Sequence, residues 1–320
     1  MSENERIKEG GVKEMLNFIV HNKEKELQED YGQMLQTYGY LLQEVQEGGA
    51  QYADSLGWLD IEEWANQRTL GTLQKLAEKI CREADAFVLI GVGGSNNAAR
   101  SVIEAIQEPG TPEIIYAGNT LSANALKKML ARLEGKSVYI DCIAKNFETL
   151  EPGASFRVLR GWLYERYGEK AAERIIATGT KGSLLEKICM EKGYTFLEFP
   201  ENIGGRYTAM SNVGLLPMAV AGIDIESLVK GAHDMQVELR GEKAYDTHAK
   251  SHVEGAARAV QEESYMQGTC GTHAGENPAY QYACMRNVLY RQGYRVEMLS
   301  SFEPQFKYFY KWWIQLFAES

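Results

Sequence analysis

The chain has 320 residues, of which 44% are hydrophobic and 24% charged, as expected of a globular protein with one large or two moderate domains. Its net charge of -10 argues against a nucleic-acid or anionic-membrane partner, although a few cations and backbone amides still suffice to bind a small phosphorylated ligand. Five cysteines without a CxxC spacing, no apolar signal region and no bilayer-length apolar run predict a cytoplasmic protein.

Residues 1–80 are acidic and predict a helical layer. Apolar residues recur at helical spacing over 12–20 and over 34–45. Asp60, with Glu63 three residues later, predicts a capped helix start.

From residue 84 the patterns of strand and helix alternate, which predicts an α/β fold, a doubly wound parallel sheet flanked by helices. Ligands of such sheets bind beyond the strand C-termini. The predicted strands are 87–90, 113–116, 137–143, 174–177 and 195–199, and the predicted helices are 98–106, 122–133, 153–167 and 184–192.

A glycine-rich turn follows the first apolar strand, in the run F-V-L-I-G-V-G-G-S-N at 87–96. Backbone amides at the start of the next helix favour an anion. Ser95 is predicted to be the N-cap of that helix and a phosphate ligand. A tight turn without a ligand is an equally open interpretation of this stretch alone.

The loop A-K-N-F-E-T at 144–149 follows the third predicted strand. Lys145 offers a point charge to a phosphate, and Asn146 and Thr149 can donate hydrogen bonds. By itself, this loop is more simply explained as a charged surface loop.

Two further residues have the chemistry of a catalytic site. Arg206 follows Gly204-Gly205, where the backbone is free to place a guanidinium in a cleft and steady a developing oxyanion, although a structural role is the alternative. Glu319 ends a very apolar helix, a setting that suits a general base, whereas alone it would be dismissed as part of a frayed tail.

The last third of the chain has less regular patterns. Residues 233–275 are polar and carry His248 and His252 at i, i+4 spacing, but no third ligand stands at a recognisable spacing, so no metal is expected. A helix is predicted over 279–291 and a strand over 295–300. The helix over 303–319 is apolar nearly all round and is expected to be buried on both sides.

Taken together, these motifs resemble the glucose-6-phosphate isomerase (phosphoglucose isomerase) family. The likeness covers most of the chain from about residue 85. It rests on these runs: G-V-G-G-S-N at 91–96, A-G-N-T at 117–120, G-G-R-Y-T-A-M-S-N-V-G-L-L-P-M-A-V-A-G-I-D at 204–224, E-N-P-A-Y-Q-Y-A at 276–283 and Q-L-F-A-E-S at 315–320.

The resemblance implies a fold of two sugar-isomerase (SIS) domains, here 1–80 as an N-terminal helical layer, 81–232 as the first domain, 233–275 as a polar insertion and 276–320 as the start of an incomplete second domain. It implies a cytoplasmic homodimer that interconverts glucose 6-phosphate and fructose 6-phosphate through a cis-enediol, in glycolysis and gluconeogenesis, without a cofactor. Glu319 matches the proton-transferring glutamate and Arg206 the enediolate-stabilising arginine. The residues implied to bind substrate phosphate are Gly94, Ser95, Lys145, Asn146, Thr149 and Gln315.

The sequence departs from the family pattern in the second phosphate loop, in residues 233–275, which are longer than expected for the family, and in where it ends. Ala144 and Asn146 replace hydroxyl residues of the second phosphate loop, and Glu148 adds a carboxylate that repels phosphate. The family also continues past residue 320, so slow turnover by this chain alone is expected. A non-catalytic sugar-phosphate-binding module is the alternative. A dinucleotide enzyme is disfavoured because Asn97 stands where the fingerprint needs its third glycine.

Overall fold

The computed structural model describes residues 16–48, 54–241 and 276–320. They belong to two compact units. One unit, called here the sheet unit, comprises 50–232 and 299–320, and the other, the helical unit, comprises 1–49 and 233–298. The predicted four-part domain division stays a prediction.

The sheet unit is built on five parallel strands in the order β2-β1-β3-β4-β5. The strands are β1 (Ala86–Ile90), β2 (Glu113–Ala117), β3 (Val138–Ala144), β4 (Ile175–Gly179) and β5 (Thr195–Glu198). Every residue of β1 and β3 is buried, as expected for central strands covered on both faces. All five strands predicted between residues 87 and 199 are confirmed, within two residues at each end.

Helices cover both faces of this sheet. The helices of the sheet unit are α2 (Ile61–Trp64), α3 (Gln67–Glu83), α4 (Gly94–Ile106), α5 (Ala123–Leu133), α6 (Leu150–Tyr167), α7 (Leu184–Lys192), α8 (Asn212–Val220) and α11 (Lys307–Glu319). α9 (Ile225–Arg240) starts in the sheet unit and ends in the helical unit.

The alternation of side chains along each strand divides the core into two layers. Phe87 and Leu89 of β1 pack with buried residues of α3, α4 and α8. Val88 and Ile90 point to the other face, among buried residues of α5, α6 and α7. The predicted doubly wound α/β fold is therefore confirmed.

The strand order places a topological switch point between β1 and β3, because the chain turns from β1 toward β2 and then crosses to the other side for β3. The loops that follow β1 and β3 therefore emerge side by side. The first of these loops leads directly into Ser95 in the first turn of α4, and the second carries Lys145.

The helical unit has its core between α1 (Lys25–Gln46) and α10 (Pro278–Arg291). Leu27 and Met34 pack with Cys284 and Val288. The Asn277 side chain caps α10 by accepting a hydrogen bond from the Tyr280 amide at 2.9 Å.

Three local expectations are wrong and a fourth, for Asp60, is only partly right. Residues 295–300 are not a strand: they are exposed and pair with no strand in the described ranges, so nothing there satisfies an extended backbone. Residues 16–20 are not helical, and 12–15 lie outside the described residues. Asp60 stands at the N-cap position of α2, as predicted, but its side chain makes no capping hydrogen bond. α11 has no buried residue and packs by one face only.

Candidate active site

The glycine turn after β1 leads into α4. The first backbone amides of α4 make no hydrogen bonds within the helix. Gly93 has φ +58°, a conformation that L side chains rarely adopt, and its carbonyl accepts hydrogen bonds from Asn96 and Asn97 at 3.1 and 2.9 Å. The N-cap is thus Gly93 and not Ser95, because the positive φ at Gly93 starts the helix two residues earlier than predicted. Gly94 and Ser95 occupy the first turn, where orphan amides and the helix dipole favour an anion.

The backbone at 205–206 lies directly against this turn. A Cβ placed on Gly94 would come within 2.2 Å of the Arg206 amide nitrogen, so only a glycine permits the approach. Gly205 opens the 3₁₀ turn Gly205–Met210, where the Thr208 hydroxyl donates to the Gly205 carbonyl at 2.8 Å. The close packing fixes where the Arg206 side chain begins.

Arg206 is in contact with the C-terminal end of α11. Its Nη1 lies 3.5 Å from Glu319 Oε2, its Nε donates to Ser320 Oγ at 3.2 Å, and its Nη2 donates to the Glu319 carbonyl. Trp312 donates its indole N–H to the Arg206 carbonyl at 2.8 Å. The Arg206 side chain is 20% exposed and that of Glu319 52%, so water and a ligand can still reach the carboxylate.

Gln315 joins Glu319 to the glycine turn. It stands one helical turn before Glu319, and its Nε2 lies 3.2 Å from each carboxylate oxygen. Its Oε1 accepts a hydrogen bond of 2.8 Å from Asn97 Nδ2, on the first turns of α4. Gly93 leaves space for this amide, because a Cβ there would be 3.0 Å from Gln315 Nε2.

A cation held between two aromatic rings fastens α11 to α4. The Arg100 guanidinium lies 4.0 Å from the ring centre of Tyr116 on β2 and 3.6 Å from that of Tyr308 on α11. Its Nε also pairs with Glu104 at 3.1 Å. Stacking of this kind contributes about 1 kcal/mol per ring where the cation is partly desolvated.

The second predicted phosphate loop makes different contacts. Lys145 Nζ donates to the carbonyls of Glu201 and Ile203 at 2.8 and 3.2 Å. Asn146 and Thr149 are exposed in the loop that precedes α6, and no hydrogen bond of the described residues joins either side chain to Arg206 or Glu319. The structure thus brings Gly94, Ser95, Arg206, Gln315 and Glu319 together, and it leaves Lys145, Asn146 and Thr149 on the neighbouring loop.

Sequence patterns did not identify three residues of this cluster as part of the site. Asn97 stood out only as a missing glycine, and Trp312 only as one of many aromatic residues. Ser320, which accepts from Arg206 and pairs with the Tyr207 hydroxyl at 2.6 Å, appeared only as the last residue of the run Q-L-F-A-E-S and without an assigned role. Their roles depend on which helix α11 packs against, and neither periodicity nor spacing encodes that.

The chemistry of the cluster suits proton transfer next to an oxyanion. A carboxylate can accept and return a proton, a guanidinium can stabilise negative charge, and first-turn amides can bind phosphate. The described residues contain no group of His, Cys, Asp and Glu arranged to hold a metal ion, and His248 and His252 lie outside them. A cavity of about 490 Å³ opens beside α10 in the helical unit, but none of the predicted site residues lines it.

None of the helices described is long and apolar enough to cross a membrane.

Comparison with known proteins identifies sequence relatives over most of the chain. The family model described as phosphoglucose isomerase matches residues 71–247, more than half of the chain. A glucose-6-phosphate isomerase of Bacillus cereus (strain B4264) is 36% identical over 279 residues, which are 83% of this chain and 55% of that protein. A glucose-6-phosphate isomerase of Staphylococcus saprophyticus is 34% identical over 313 residues, or 92% of this chain and 64% of that protein.

Two solved structures share the fold. A hypothetical protein from Thermus thermophilus superposes with a TM-score of 0.71 and 23% identity, over 92% of this chain and 63% of that one. A glucose-6-phosphate isomerase from Chlamydia trachomatis gives a TM-score of 0.56 and 19% identity, over 66% of this chain and 46% of that one.

The chain spans between about half and two thirds of the length of these curated relatives. The family match covers the residues from α3 through β5 and α8, including the glycine turn, the second loop and Arg206. On that match, this chain belongs to the phosphoglucose isomerase family.

Proposed function

We propose that the sheet unit carries the site of an aldose–ketose isomerase that interconverts glucose 6-phosphate and fructose 6-phosphate. The observation that supports this proposal most is the contact of Glu319 with Arg206 and Gln315 beside the first turn of α4. A base, a cation and an anion-binding helix start are the three elements that this reaction needs.

In the proposed reaction, Glu319 takes the proton from C2 of the open-chain aldose. The electron pair of the broken C–H bond forms the C1–C2 double bond, and the carbonyl oxygen O1 receives the negative charge of a cis-enediolate. Return of the proton to C1, with transfer of the O2 hydroxyl proton to O1, gives the ketose. Arg206 stabilises the charged intermediate, which a neutral side chain at this position would do poorly.

Substrate has to replace part of the contact between Arg206 and Glu319. That pair is half-exposed on the carboxylate side, so separating it costs only about 1 kcal/mol or less. A sugar oxygen between the two groups would keep the guanidinium paired with negative charge and free the carboxylate to accept the C2 proton.

The phosphate is proposed to bind at the switch point between β1 and β3. Gly94 and Ser95 supply amides and a hydroxyl from the first turn of α4, after β1, and Lys145, Asn146 and Thr149 belong to the loop after β3. Lys145 would exchange its two carbonyl partners, Glu201 and Ile203, for the phosphate. Such an exchange is favourable because a phosphate carries full charge and a carbonyl does not.

The remaining parts of the proposal follow from membership of the family. The chain would act in glycolysis and gluconeogenesis, in the cytoplasm, as a homodimer and without a cofactor. A sugar-phosphate-binding module without catalysis is the competing function, and the experiment below separates the two.

The test measures turnover of fructose 6-phosphate in a coupled assay and its binding by calorimetry. Glu319→Gln is expected to lower kcat by about 10²–10⁴-fold, the usual contribution of general acid–base catalysis, with little change in binding. The control Glu78→Gln alters an exposed carboxylate of α3 and is expected to leave both unchanged. Binding without turnover by the unmodified chain would favour the binding module, and full turnover by Glu319→Gln would refute the proposed base.

A further inference from the structure

We propose that Asn97 is a positioning residue of this site: its side-chain amide orients Gln315, and Gln315 in turn orients the carboxylate of Glu319. The inference rests on the proposed function for the catalytic role of Glu319, but the hydrogen-bond chain itself does not depend on it. Asn97 lies on α4 and the other two residues lie on α11, so the chain links two helices that are more than 200 residues apart in sequence.

The contacts form a continuous path. Asn97 Nδ2 lies 2.8 Å from Gln315 Oε1. Gln315 Nε2 lies 3.2 Å from both carboxylate oxygens of Glu319. The Asn97–Gln315 bond is partly buried, where a misdirected polar group costs more than at the surface.

The direction of each hydrogen bond is fixed by the chemistry of its neighbour. An ionised carboxylate only accepts, so Gln315 must turn its NH₂ group toward Glu319. Its carbonyl oxygen then faces Asn97 and requires a donor there. Asn97 supplies that donor, and a flipped Asn97 amide would set two oxygens against each other.

Because Gln315 requires a hydrogen-bond donor at residue 97, two variants can distinguish a positioning role of Asn97 from simple packing. Asn97→Asp has the same shape but only accepts, whereas Asn97→Ala removes the polar group altogether. If Asn97 only fills space, Asn97→Asp is nearly neutral and Asn97→Ala is the more harmful change. If Asn97 orients Gln315, the order is reversed, because the new carboxylate turns the Gln315 oxygen toward Glu319.

The experiment uses the ¹⁵N-labelled full chain and two readouts. The side-chain NH₂ signals of Gln315, assigned by their loss in Gln315→Leu, are expected to move in Asn97→Asp and to stay in place in Asn124→Asp. Asn124 is an exposed residue of α5, so the control adds the same charge away from the site. In the coupled assay kcat/KM is expected to fall about tenfold for Asn97→Asp and less for Asn97→Ala.

Unchanged Gln315 signals in Asn97→Asp would overturn the inference, as would a larger loss of kcat/KM in Asn97→Ala than in Asn97→Asp. The spectroscopic readout needs no turnover. An inactive chain whose Gln315 signals respond as expected would therefore refute the proposed function while supporting the hydrogen-bond chain.

Discussion

At the scale of the residue, the least expected group is the carboxyl of Asp141 in the middle of β3. It is completely buried on the same sheet face as Tyr139 and Ile143, and its hydrogen bond comes from the Thr178 hydroxyl at 3.2 Å. Burial raises the pKa of Asp141 from 3.8 to about 7, and the Thr178 hydrogen bond offsets part of that rise. The sequence predicted this strand correctly in spite of its acid.

This carboxyl makes the stability of the sheet unit depend on pH. Between about pH 4 and 7 the folded chain holds a proton on Asp141 that the unfolded chain has lost, so the free energy of unfolding falls as the pH rises through this range. Asp141→Asn stays neutral and is expected to remove a fall of the order of 2 kcal/mol between pH 5 and pH 8, measured by urea unfolding. The exposed control Asp54→Asn should keep the wild-type slope, and equal slopes in wild type and Asp141→Asn would contradict the expectation.

At the scale of the element, the site is assembled where α4, the turn at 205–206 and α11 meet. The predicted strands and the helices between them are correct because each shows its periodicity locally. The predictions of a strand at 295–300 and of two-sided burial for α11 are wrong because both features depend on a partner element. An apolar sequence pattern does not show which element packs against it.

Two glycines offer a direct test of this close packing. Gly94→Ala places a methyl group 2.2 Å from backbone atoms of 205–206, so the two segments must separate, and a loss of about 2–3 kcal/mol is expected. Gly71→Ala, within α3 and with no atom within 4 Å of the new Cβ, is expected to stabilise by about 0.5–1 kcal/mol.

Thermal unfolding of the two glycine variants should therefore give shifts of Tm in opposite directions. Calorimetry with fructose 6-phosphate should show weakened binding for Gly94→Ala alone. A Gly94→Ala chain with wild-type Tm would mean that the 205–206 turn does not pack closely against α4.

At the scale of the whole molecule, the net charge of -10 keeps copies of the chain apart, but α11 exposes apolar side chains that favour association. Ile314 is 65% exposed and Phe317 41%, and Phe302 just before the helix is fully exposed. We therefore expect copies of the chain to associate through this exposed face of α11.

Sedimentation velocity over a range of concentrations tests this expectation. The unmodified chain should sediment faster as its concentration rises, and Ile314→Lys should reduce the effect because a charge must then be desolvated in the contact. Leu184→Lys makes the same change at a similarly exposed position, 59%, on α7 and should behave as wild type. Association that is equal in both variants would place the contact away from α11.

The sequence by itself determined the strands of the sheet to within two residues at each end, and the loops that bear chemistry, because buried strands, glycine turns and helix periodicities can be recognised from neighbouring residues. It also marked Gly94, Arg206 and Glu319 through their resemblance to one family. Only the tertiary structure decided that Glu319 contacts Arg206 and Gln315, that Asn97 completes the hydrogen-bond chain, and that Lys145 rests on the 201–203 carbonyls. Apart from the Gln315–Glu319 contact within α11, these contacts join residues 56–218 positions apart, and the packing of whole helices, which no local pattern specifies, sets their distances.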